Sequence, residues 1–410
     1  MNNEKIKKIF TVLIVLLPFL YQYKSPISVI SFGEFLLIPF IVYFTIKNFK
    51  TKVKYNEFNG LYIYLVCAVF FNFLASLQSY YSYGNFVTIF ARIIYYALLI
   101  YVAYFNFDLK LGIKVVINAS IFFSIYAIIQ YSTYQLSGKV LPTIINPNWA
   151  FSREESGNRL NYEAYYRWLY RASSLFLEPG YFVNFCAPAL VALLHFEENN
   201  KKNMIYACII TLAFVVSTSS ASIVVLAFSW GAFVIKSVMT KKMKAKTLVF
   251  ILLLMVFIMV LFMSPLAETL LKRTASGGSF NNRITRTFIL FQQTNFVQKI
   301  VGVGINNVDM FVIDRQAYTM YDEKDLNFIS SYLGTILSSG IITFIFYNKF
   351  FIVTFFKNKS NFVKVLTLIF LFYNFIGNIV YSNRFAYFTI FILCAQKYYK
   401  SINGGTNATD

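Results

Sequence analysis

Residues 86–106 read FVTIFARIIYYALLIYVAYFN, and Arg92 is the only charged side chain among them. A helix that crosses about 30 Å of hydrocarbon needs roughly 20 consecutive, mostly apolar residues. The stretch therefore predicts a membrane-spanning helix. Because a charged side chain inside a membrane is costly, Arg92 is also a candidate functional residue.

Similar apolar runs recur on both sides of this stretch. They lie near residues 6–22, 27–46, 60–78, 86–106, 112–134, 173–195, 204–218, 219–236, 247–264, 328–348, 361–380 and 383–399. The runs predict an all-α fold, a polytopic transmembrane helical bundle of about 12 spans. We expect residues 1–400 to form one membrane domain and residues 401–410 to be a disordered cytoplasmic tail. The boundary between the seventh and eighth runs is the least distinct, because only residues 217–222 separate them.

The overall composition agrees with a membrane protein. Hydrophobic residues make up 58% of the chain and charged residues only 13%. Soluble domains carry about 25% charged residues, so too few charges are present for a water-facing surface of ordinary size. The aromatic content of 20% fits lipid-facing helices with aromatic belts at the membrane interfaces.

The charges are distributed unevenly along the chain. A formal net charge of +20 would suit a nucleic-acid partner. When alternate loops are assigned to alternate sides, starting from a cytoplasmic N-terminus, the short outer loops hold only Lys24 and Arg384 as cations. This asymmetry is the positive-inside pattern of membrane proteins. The charge therefore indicates orientation, with both termini in the cytoplasm, rather than nucleic-acid binding.

Two connections are much longer than the others, and both are predicted on the outer side. They are residues 136–172 and 264–327. Loops longer than about 12–15 residues without structure are uncommon unless they are functional or disordered. The first is rich in tryptophan and tyrosine, and the second contains a helix-like stretch at residues 282–298. We expect both extracytoplasmic loops to be ordered.

Lysines and arginines are also distributed differently between the two predicted sides of the membrane. Every cation predicted in the cytoplasm is a lysine, whereas the arginines are predicted outside or within the membrane. Chance combined with a codon bias towards lysine is the alternative explanation. The planar arginine side chain binds phosphate and carboxylate groups in a bidentate way, so the outer face is predicted to bind an anion. The ten arginines are Arg92, Arg153, Arg159, Arg167, Arg171, Arg273, Arg283, Arg286, Arg315 and Arg384.

Two charged residues lie inside predicted spans, Glu34 and Arg92. Both are expected roughly 10 Å below the outer surface, from a rise of about 1.5 Å per residue. One interpretation is a buried structural pair. The other is that both line a cavity open to the outside.

Glu178 lies where the first long loop meets the sixth span, in residues 171–180, RASSLFLEPG. The Pro-Gly pair that follows it predicts a break in the helix, and non-helical backbone at membrane depth is tolerated where it lines a cavity or is buried in protein. A carboxylate beside such a break is a candidate general base. The alternative is a carboxylate that only interacts with the helix dipole.

The second long loop carries a pair of arginines and a glycine motif. Arg283 and Arg286 are three residues apart and would share one helix face. Gly302 and Gly304 belong to a Gly-Val-Gly sequence, which is a weak signal and can mark a tight turn. It lacks the context of a nucleotide-binding motif. No metal site is predicted, because the four cysteines have no ligand spacing and resemble small buried hydrophobes.

Three stretches, taken in order, resemble the O-antigen and capsular polysaccharide polymerases of bacterial envelopes, the Wzy-type family. Residues 171–183 are similar to that family's Arg…Phe-x-Glu-Pro segment after its first large periplasmic loop. Residues 282–307 are similar to its second large loop. Residues 327–333, with Tyr332, and residues 340–341 are similar to its return into the membrane. The family's arginine-to-glycine spacing in the second loop is not cleanly reproduced here.

The resemblance implies a glycosyltransferase of the bacterial cytoplasmic membrane. It would transfer a growing glycan from polyprenyl pyrophosphate to a new lipid-linked repeat unit on the outer face, without a cofactor. A chain-length regulator and a flippase are the implied protein partners. As catalytic residues, the resemblance and the charge pattern favour Glu178, Arg171, Arg283 and Arg286. As substrate-binding residues, they favour Arg92, Glu34, Arg384, Gly302, Gly304 and Tyr332.

Two other functions remain as alternatives. O-antigen ligases are similar in plan but use a histidine in the second large outer loop, whereas His195, the only histidine here, is predicted at the cytoplasmic end of a span. A lipid-linked oligosaccharide flippase or other transporter would be expected to have internal repeats and charges near the membrane midplane. Neither feature is visible in this sequence.

Overall fold

The computed structural model describes residues 3–27, 29–48, 58–151, 170–196, 200–239, 286–315, 330–377 and 380–404. This part of the chain is 79% helical and contains no β-strand. Its helices are α1 (Asn3–Leu20), α2 (Phe32–Asn48), α3 (Asn59–Ala75), α4 (Tyr83–Asn106), α5 (Leu109–Ser137), α6 (Pro179–His195), α7 (Lys201–Ser217), α8 (Ser220–Met239), α9 (Arg286–Gln292), α10 (Phe296–Val301), α11 (Val308–Asp314), α12 (Ser331–Lys357), α13 (Asn361–Ile376) and α14 (Asn383–Gly404).

Several helices have the length and composition of membrane spans. Val87–Asn106, Leu109–Ser137, Ser220–Met239 and Ser331–Lys357 are long and apolar enough to cross a membrane. Shorter apolar helices occupy Gly60–Ala75, Pro179–His195 and Asn361–Phe375. The all-helical prediction is therefore confirmed, and the helices are those of a membrane protein. The predicted run at 247–264 lies outside the described residues, and the total of about 12 spans stays a prediction.

Lysines gather at one end of the bundle, where α4 and α14 end and α5 begins. Lys397 Nζ donates a hydrogen bond of 2.9 Å to the carbonyl oxygen of Tyr104. The same ammonium group lies 4.7 Å from the centre of the Tyr104 ring. Lys110 Nζ lies 5.6 Å from the ring centre of Tyr398. These cation–π contacts keep the lysines beside the aromatic rings of this end, which we call the lysine end.

The opposite end carries arginine and the non-helical connections. It is formed where α1 ends and where α6 and α14 begin, and it includes Arg384 at the start of α14. We call it the arginine end. Lysines such as Lys24 also occur at this end, and the compartment that each end faces stays a prediction.

Helix α12 is broken at Gly340, whose backbone angles are φ 78° and ψ 166°. A break removes helical hydrogen bonds, and the freed groups need new partners because lipid offers none. A turn from the second long loop supplies them. Val303 N donates to the carbonyl oxygen of Leu337 at 2.9 Å, and Gly304 N donates to that of Ser338 at 3.0 Å. The turn at residues 302–304 is therefore built into α12.

This docking explains the glycines of the turn. Gly302 and Gly304 have φ angles of 89° and 105°, a region that other residues rarely adopt. A Cβ atom on Gly302 would lie 2.3 Å from the carbonyl oxygen of Ser338, and one on Gly304 would lie 2.3 Å from the Tyr81 ring. Only glycine allows the turn to approach α12 so closely.

The helix-like stretch predicted at residues 282–298 is interrupted near its C-terminal end. The described part of this stretch forms two short helices, α9 and α10, that are separated before Phe296. Asn295 and Gln298 form a reciprocal capping box, with Gln298 N to Asn295 Oδ1 at 2.8 Å and Asn295 N to Gln298 Oε1 at 3.0 Å. This capping box starts a new helix at a point where the apolar pattern of the sequence continues without interruption.

Two further helix boundaries can be compared with the sequence predictions. Thr218, between α7 and α8, adopts a left-handed conformation with φ 45°, so the indistinct seventh and eighth runs are two helices. At the C-terminus, α14 continues to Gly404. The disorder predicted from residue 401 is therefore wrong for the first four residues of that tail, and residues 405–410 lie outside the described part.

We expect Gly340→Ala to destabilise the fold strongly. A Cβ atom there would lie 1.8 Å from the carbonyl oxygen of Ile300, and φ is positive. The loss should be about 2 kcal/mol or more, seen as a lower thermal unfolding midpoint in detergent. Gly231→Ala in α8 is the matched control, because nothing lies within 4 Å of its added Cβ. Equal midpoints for the two variants would contradict the docking of the turn.

Candidate functional site

A non-helical stretch, residues 171–178, crosses the arginine end and leads into α6. We call it the clamped segment. The side chain of Gln22, just beyond α1, holds it with both halves of its amide. Gln22 Nε2 donates to the carbonyl oxygen of Leu175 at 2.6 Å, and Leu177 N donates to Gln22 Oε1 at 3.0 Å. Because Gln22 is buried, its amide satisfies two backbone groups that would otherwise need hydrogen bonds to water.

A second glutamine, Gln130 of α5, holds the same segment. Its Nε2 donates to the carbonyl oxygens of Ser174 and Pro142, both at 2.9 Å. Ser174 adopts a left-handed conformation with φ 56°, which turns the chain at this point. The amide orientation of Gln130 is fixed, because both of its partners are acceptors.

The clamped segment is also anchored in the core by Phe176, which is completely buried. Its ring centre lies 5.6 Å from that of Phe19, 5.0 Å from that of Phe123 and 5.5 Å from that of Phe185. Aromatic pairs at these separations contribute about 0.5–1.5 kcal/mol each beyond area burial. Hydrogen bonds and packing together fix the residues just before Glu178.

Glu178 is the residue that precedes α6 and caps it with its backbone. Its carbonyl oxygen accepts hydrogen bonds from Tyr181 N at 3.0 Å and Phe182 N at 3.2 Å. Its side chain makes no capping bond, is exposed, and has no hydrogen-bond or ion-pair partner in the part of the chain that the structure describes. The backbone is thus held rigidly while the carboxylate is accessible to a ligand.

Arg384, at the start of α14, lies beside this helix terminus. Its guanidinium carbon is 4.7 Å from the ring centre of Tyr181, one helical turn after Glu178. The cation–π contact holds the guanidinium group against the first turn of α6. Glu178 and Arg384 therefore both lie at the N-terminal turn of α6.

Arg171 begins the clamped segment and is half-buried. The preceding residue, Tyr170, stacks on Tyr134 of α5 with ring centres 4.2 Å apart and an interplanar angle of 15°. This stack fixes the chain at Arg171 on the arginine end. Arg171, Glu178 and Arg384 are therefore at one end of the bundle, and the outer location of that end stays a prediction.

The break in α12 is connected to the same end. Ser339 Oγ and Tyr381 Oη are 3.3 Å apart, and Tyr381 has a positive φ of 60°. Tyr381 lies three residues before Arg384. The turn of the second long loop, the α12 break and the start of α14 thus form one continuous set of contacts.

Glu34 has a structural role in this fold. It lies in the first turn of α2, not several residues inside the span as predicted, because Ser31 and Glu34 form a capping box that starts the helix. Ser31 N donates to Glu34 Oε2 at 2.8 Å, and Tyr96 Oη donates to Oε1 at 2.6 Å. Arg92 is half-buried and forms no ion pair with Glu34 in the described structure. Of the two interpretations, the buried pair is therefore not formed.

The remaining predicted site residues are engaged in packing or are not described. The Tyr332 ring meets Phe375 and Phe344 edge-on, with centres 4.3 Å and 5.6 Å apart. Gly302 and Gly304 pack in the docked turn. Ligand binding by these three residues stays a prediction. Arg283 lies outside the described residues, and Arg286 begins α9 with its side chain also outside them.

A small polar cluster ties α10 to the turn before α4. Gln298 Nε2 donates to Gln78 Oε1 at 2.8 Å and to Tyr80 Oη at 3.2 Å. Burial raises the pKa of the Tyr80 phenol. The phenol therefore stays protonated at neutral pH and donates to Gln78 Oε1 at 2.5 Å.

Sequence reasoning missed Gln22, Gln130, Tyr181 and Tyr381. The two glutamines had a detectable signal, because they are polar residues within or at the end of apolar runs. Tyr181 and Tyr381 gave no such sequence signal, since tyrosine is common throughout the chain. No group of three or more histidine, cysteine or acidic side chains that could hold a metal is present among the described residues.

No known protein-family description matches the chain, and no curated protein is similar to it in sequence.

We expect Gln22→Ala to loosen the clamped segment. It would leave the carbonyl oxygen of Leu175 and the N–H of Leu177 unsatisfied, at about 1–3 kcal/mol for each group. Hydrogen–deuterium exchange at the Leu177 amide should become faster. Gln135→Ala, at an exposed position of α5, is the control and should leave exchange unchanged. Unchanged protection of Leu177 in Gln22→Ala would refute the clamp.

Proposed function

We propose that the chain is a polymerase of lipid-linked polysaccharide repeat units, such as O-antigen or capsular units. The observation that carries the proposal is the exposed Glu178 carboxylate, free of side-chain partners in the described structure, beside the Arg384–Tyr181 contact. The resemblance of residues 171–183 to the polymerase family supports the same conclusion. The all-helical membrane fold is compatible with it.

The proposed reaction transfers a glycan between two lipid carriers. A hydroxyl oxygen of the acceptor repeat unit forms a bond to the anomeric carbon of the donor glycan. The bond from that carbon to the pyrophosphate oxygen breaks, and the bonding electrons leave with polyprenyl pyrophosphate. Glu178 accepts the hydroxyl proton as general base.

The arginines would act on the leaving group. Pyrophosphate gains negative charge as the glycosidic bond breaks, and preorganised guanidinium groups stabilise such charge. Arg171 and Arg384 lie on the arginine end with Glu178. Arg283 and Arg286 are proposed to join them, on the resemblance alone. The energy of the phosphate linkage drives the transfer, so the reaction requires neither a nucleotide sugar nor a cofactor.

The proposed location is the outer face of the bacterial cytoplasmic membrane. The lysine end would face the cytoplasm, as the positive-inside rule predicts. The substrates would be polyprenyl-pyrophosphate-linked oligosaccharides embedded in that membrane. A flippase that delivers the repeat units and a chain-length regulator are the proposed partners.

One observation favours a second candidate, a flippase of the same lipid-linked oligosaccharide. The break in α12 at Gly340 is a discontinuous helix of the kind found in transporters. Glu178 is exposed and has no side-chain partner among the described residues, which favours a catalytic role over transport. An O-antigen ligase is less favoured, because His195 is buried and lies 3.0 Å from the carbonyl oxygen of Ser229.

Reconstitution separates these functions. Purified protein in liposomes is mixed with lipid-linked repeat units, and the products are separated by size. A polymerase yields a ladder of lengthened glycans on lipid. A flippase moves the units across the bilayer and leaves their length unchanged, which would refute the proposal.

Glu178→Gln should abolish chain growth while the fold is retained, because the amide cannot accept the proton. Activity is measured as the ladder, and folding as the thermal unfolding midpoint. Glu4→Gln is the control, since Glu4 is an exposed carboxylate 3.0 Å from Lys8 at the start of α1, whereas Glu178 lies near the other end of that helix. A full ladder from Glu178→Gln would make Glu178 structural.

Arg384→Lys should slow chain growth about tenfold to a hundredfold. The ammonium group keeps the charge but loses the planar fork that binds phosphate oxygens. Arg315→Lys is the control, because Arg315 is exposed beside Asp314 at 3.8 Å. Equal rates for both variants would exclude Arg384 from the reaction.

A further inference from the structure

The short helices α9 and α10 of the second long loop carry apolar residues on their outer side. The inner side of α9 packs on α12, where Leu290 is completely buried in a cluster with Val303 and Leu337. On the outer side, Phe288 of α9 is 50% exposed and Phe296 of α10 is 77% exposed. A helix on a water-facing surface normally turns polar residues outward. The outer side of these two helices therefore indicates an apolar partner.

Helix α10 shows the reversed pattern most clearly. Its amide residue, Gln298, is buried and donates a hydrogen bond of 2.8 Å to Gln78 Oε1. Val297, the residue before this glutamine, is 62% exposed. The polar side chain thus faces the protein while the apolar ones face outward, which is the arrangement of a helix in contact with lipid.

The residues that follow α10 hold it at the level of the apolar helices. Ile305 N donates a hydrogen bond of 2.8 Å to Asn72 Oδ1. Asn72 lies three residues before Ala75, the last residue of α3. Val301, the last residue of α10, packs in one cluster with Ala75. The C-terminal end of α10 therefore lies beside the last turn of α3.

Helix α3 carries an exposed apolar face at this level. Val66, Phe70 and Phe73 follow one another at helical spacing, and each is more than half exposed. Since α3 is one of the apolar helices of the membrane bundle, lipid is the surrounding that suits this face. Because α10 packs on the last turn of the same helix, its exposed side chains lie at the margin of a lipid-facing surface.

A lysine on the same two helices fits a membrane boundary. Lys299 Nζ of α10 lies 5.8 Å from the ring centre of Phe291 in α9, so a cation–π contact links the two helices. Lys299 is half-buried and has no acidic partner among the residues that the structure describes. Lysines at such a boundary lay their stems along apolar surface and place the ammonium group among polar headgroups.

We propose that α9 and α10 form an interfacial anchor, whose partner is the lipid surface at the arginine end. Phe288, Phe296 and Val297 contact the boundary between headgroups and acyl chains, and Lys299 contacts lipid phosphates. The anchor holds the second long loop at the membrane while its turn at residues 302–304 is docked into α12. This proposal does not depend on the polymerase function. A protein surface is the competing partner.

The test measures where these side chains lie relative to the bilayer. In a variant whose four cysteines are replaced by serine, Phe296→Cys and Val297→Cys are each labelled with a nitroxide. The full-length protein is reconstituted into liposomes of phosphatidylethanolamine and phosphatidylglycerol. Collisions of the label with oxygen, which concentrates in the bilayer, are compared with collisions with a water-soluble nickel chelate. Both labels should favour oxygen, at a depth of about 5–10 Å into the boundary.

Two further positions serve as controls in the same cysteine-free protein. Phe73→Cys, on the exposed apolar face of α3, should also favour oxygen. Asp309→Cys, at an exposed polar position of α11 in the same loop, should favour the nickel chelate. The ratio of oxygen to nickel collisions at position 296 should be several times the ratio at position 309.

Two results would overturn the inference. A preference for the nickel chelate at positions 296 and 297 would place both helices in water. Few collisions with either reagent at these positions, alongside normal values for Phe73→Cys and Asp309→Cys, would show that protein rather than lipid covers this surface.

Discussion

Backbone hydrogen bonding without water is the constraint on which this structure depends. Helices satisfy their own N–H and C=O groups, so apolar stretches fold into helices without outside help. The chain departs from this rule at the clamped segment and at the break of α12. Each departure is satisfied from a distant part of the chain. Gln22 and Gln130 bind the clamped segment, and the turn at residues 302–304 binds α12.

These two departures place the charged groups of the candidate site. The clamped segment ends at Glu178, which starts α6 and presents an accessible carboxylate. The α12 break contacts Tyr381, and the chain then reaches Arg384, whose guanidinium group stacks on α6 at Tyr181. The irregular backbone and these charged side chains thus occur together. At the other end of the bundle, Lys110 and Lys397 make cation–π contacts with tyrosine rings.

The sequence predicted the parts of this arrangement that depend on local composition. Apolar runs identified the long helices, and the Pro-Gly pair after Glu178 located the start of α6. Contacts between distant residues were not predictable, since Gln22 and Leu175 are 153 positions apart. Gly340 lies in an apolar run that gives no sign of a break. Glu34 and residues 282–298 were misjudged because capping boxes overrode the hydropathy pattern.

The proposed function requires the arginine end to face away from the cytoplasm. In a variant whose four cysteines are replaced by serine, Glu178→Cys and Lys110→Cys are each treated with a membrane-impermeant maleimide in intact spheroplasts. We expect Glu178→Cys to be labelled at once and Lys110→Cys to be labelled only after permeabilisation. Labelling of Lys110→Cys in intact spheroplasts, with Glu178→Cys protected, would contradict it.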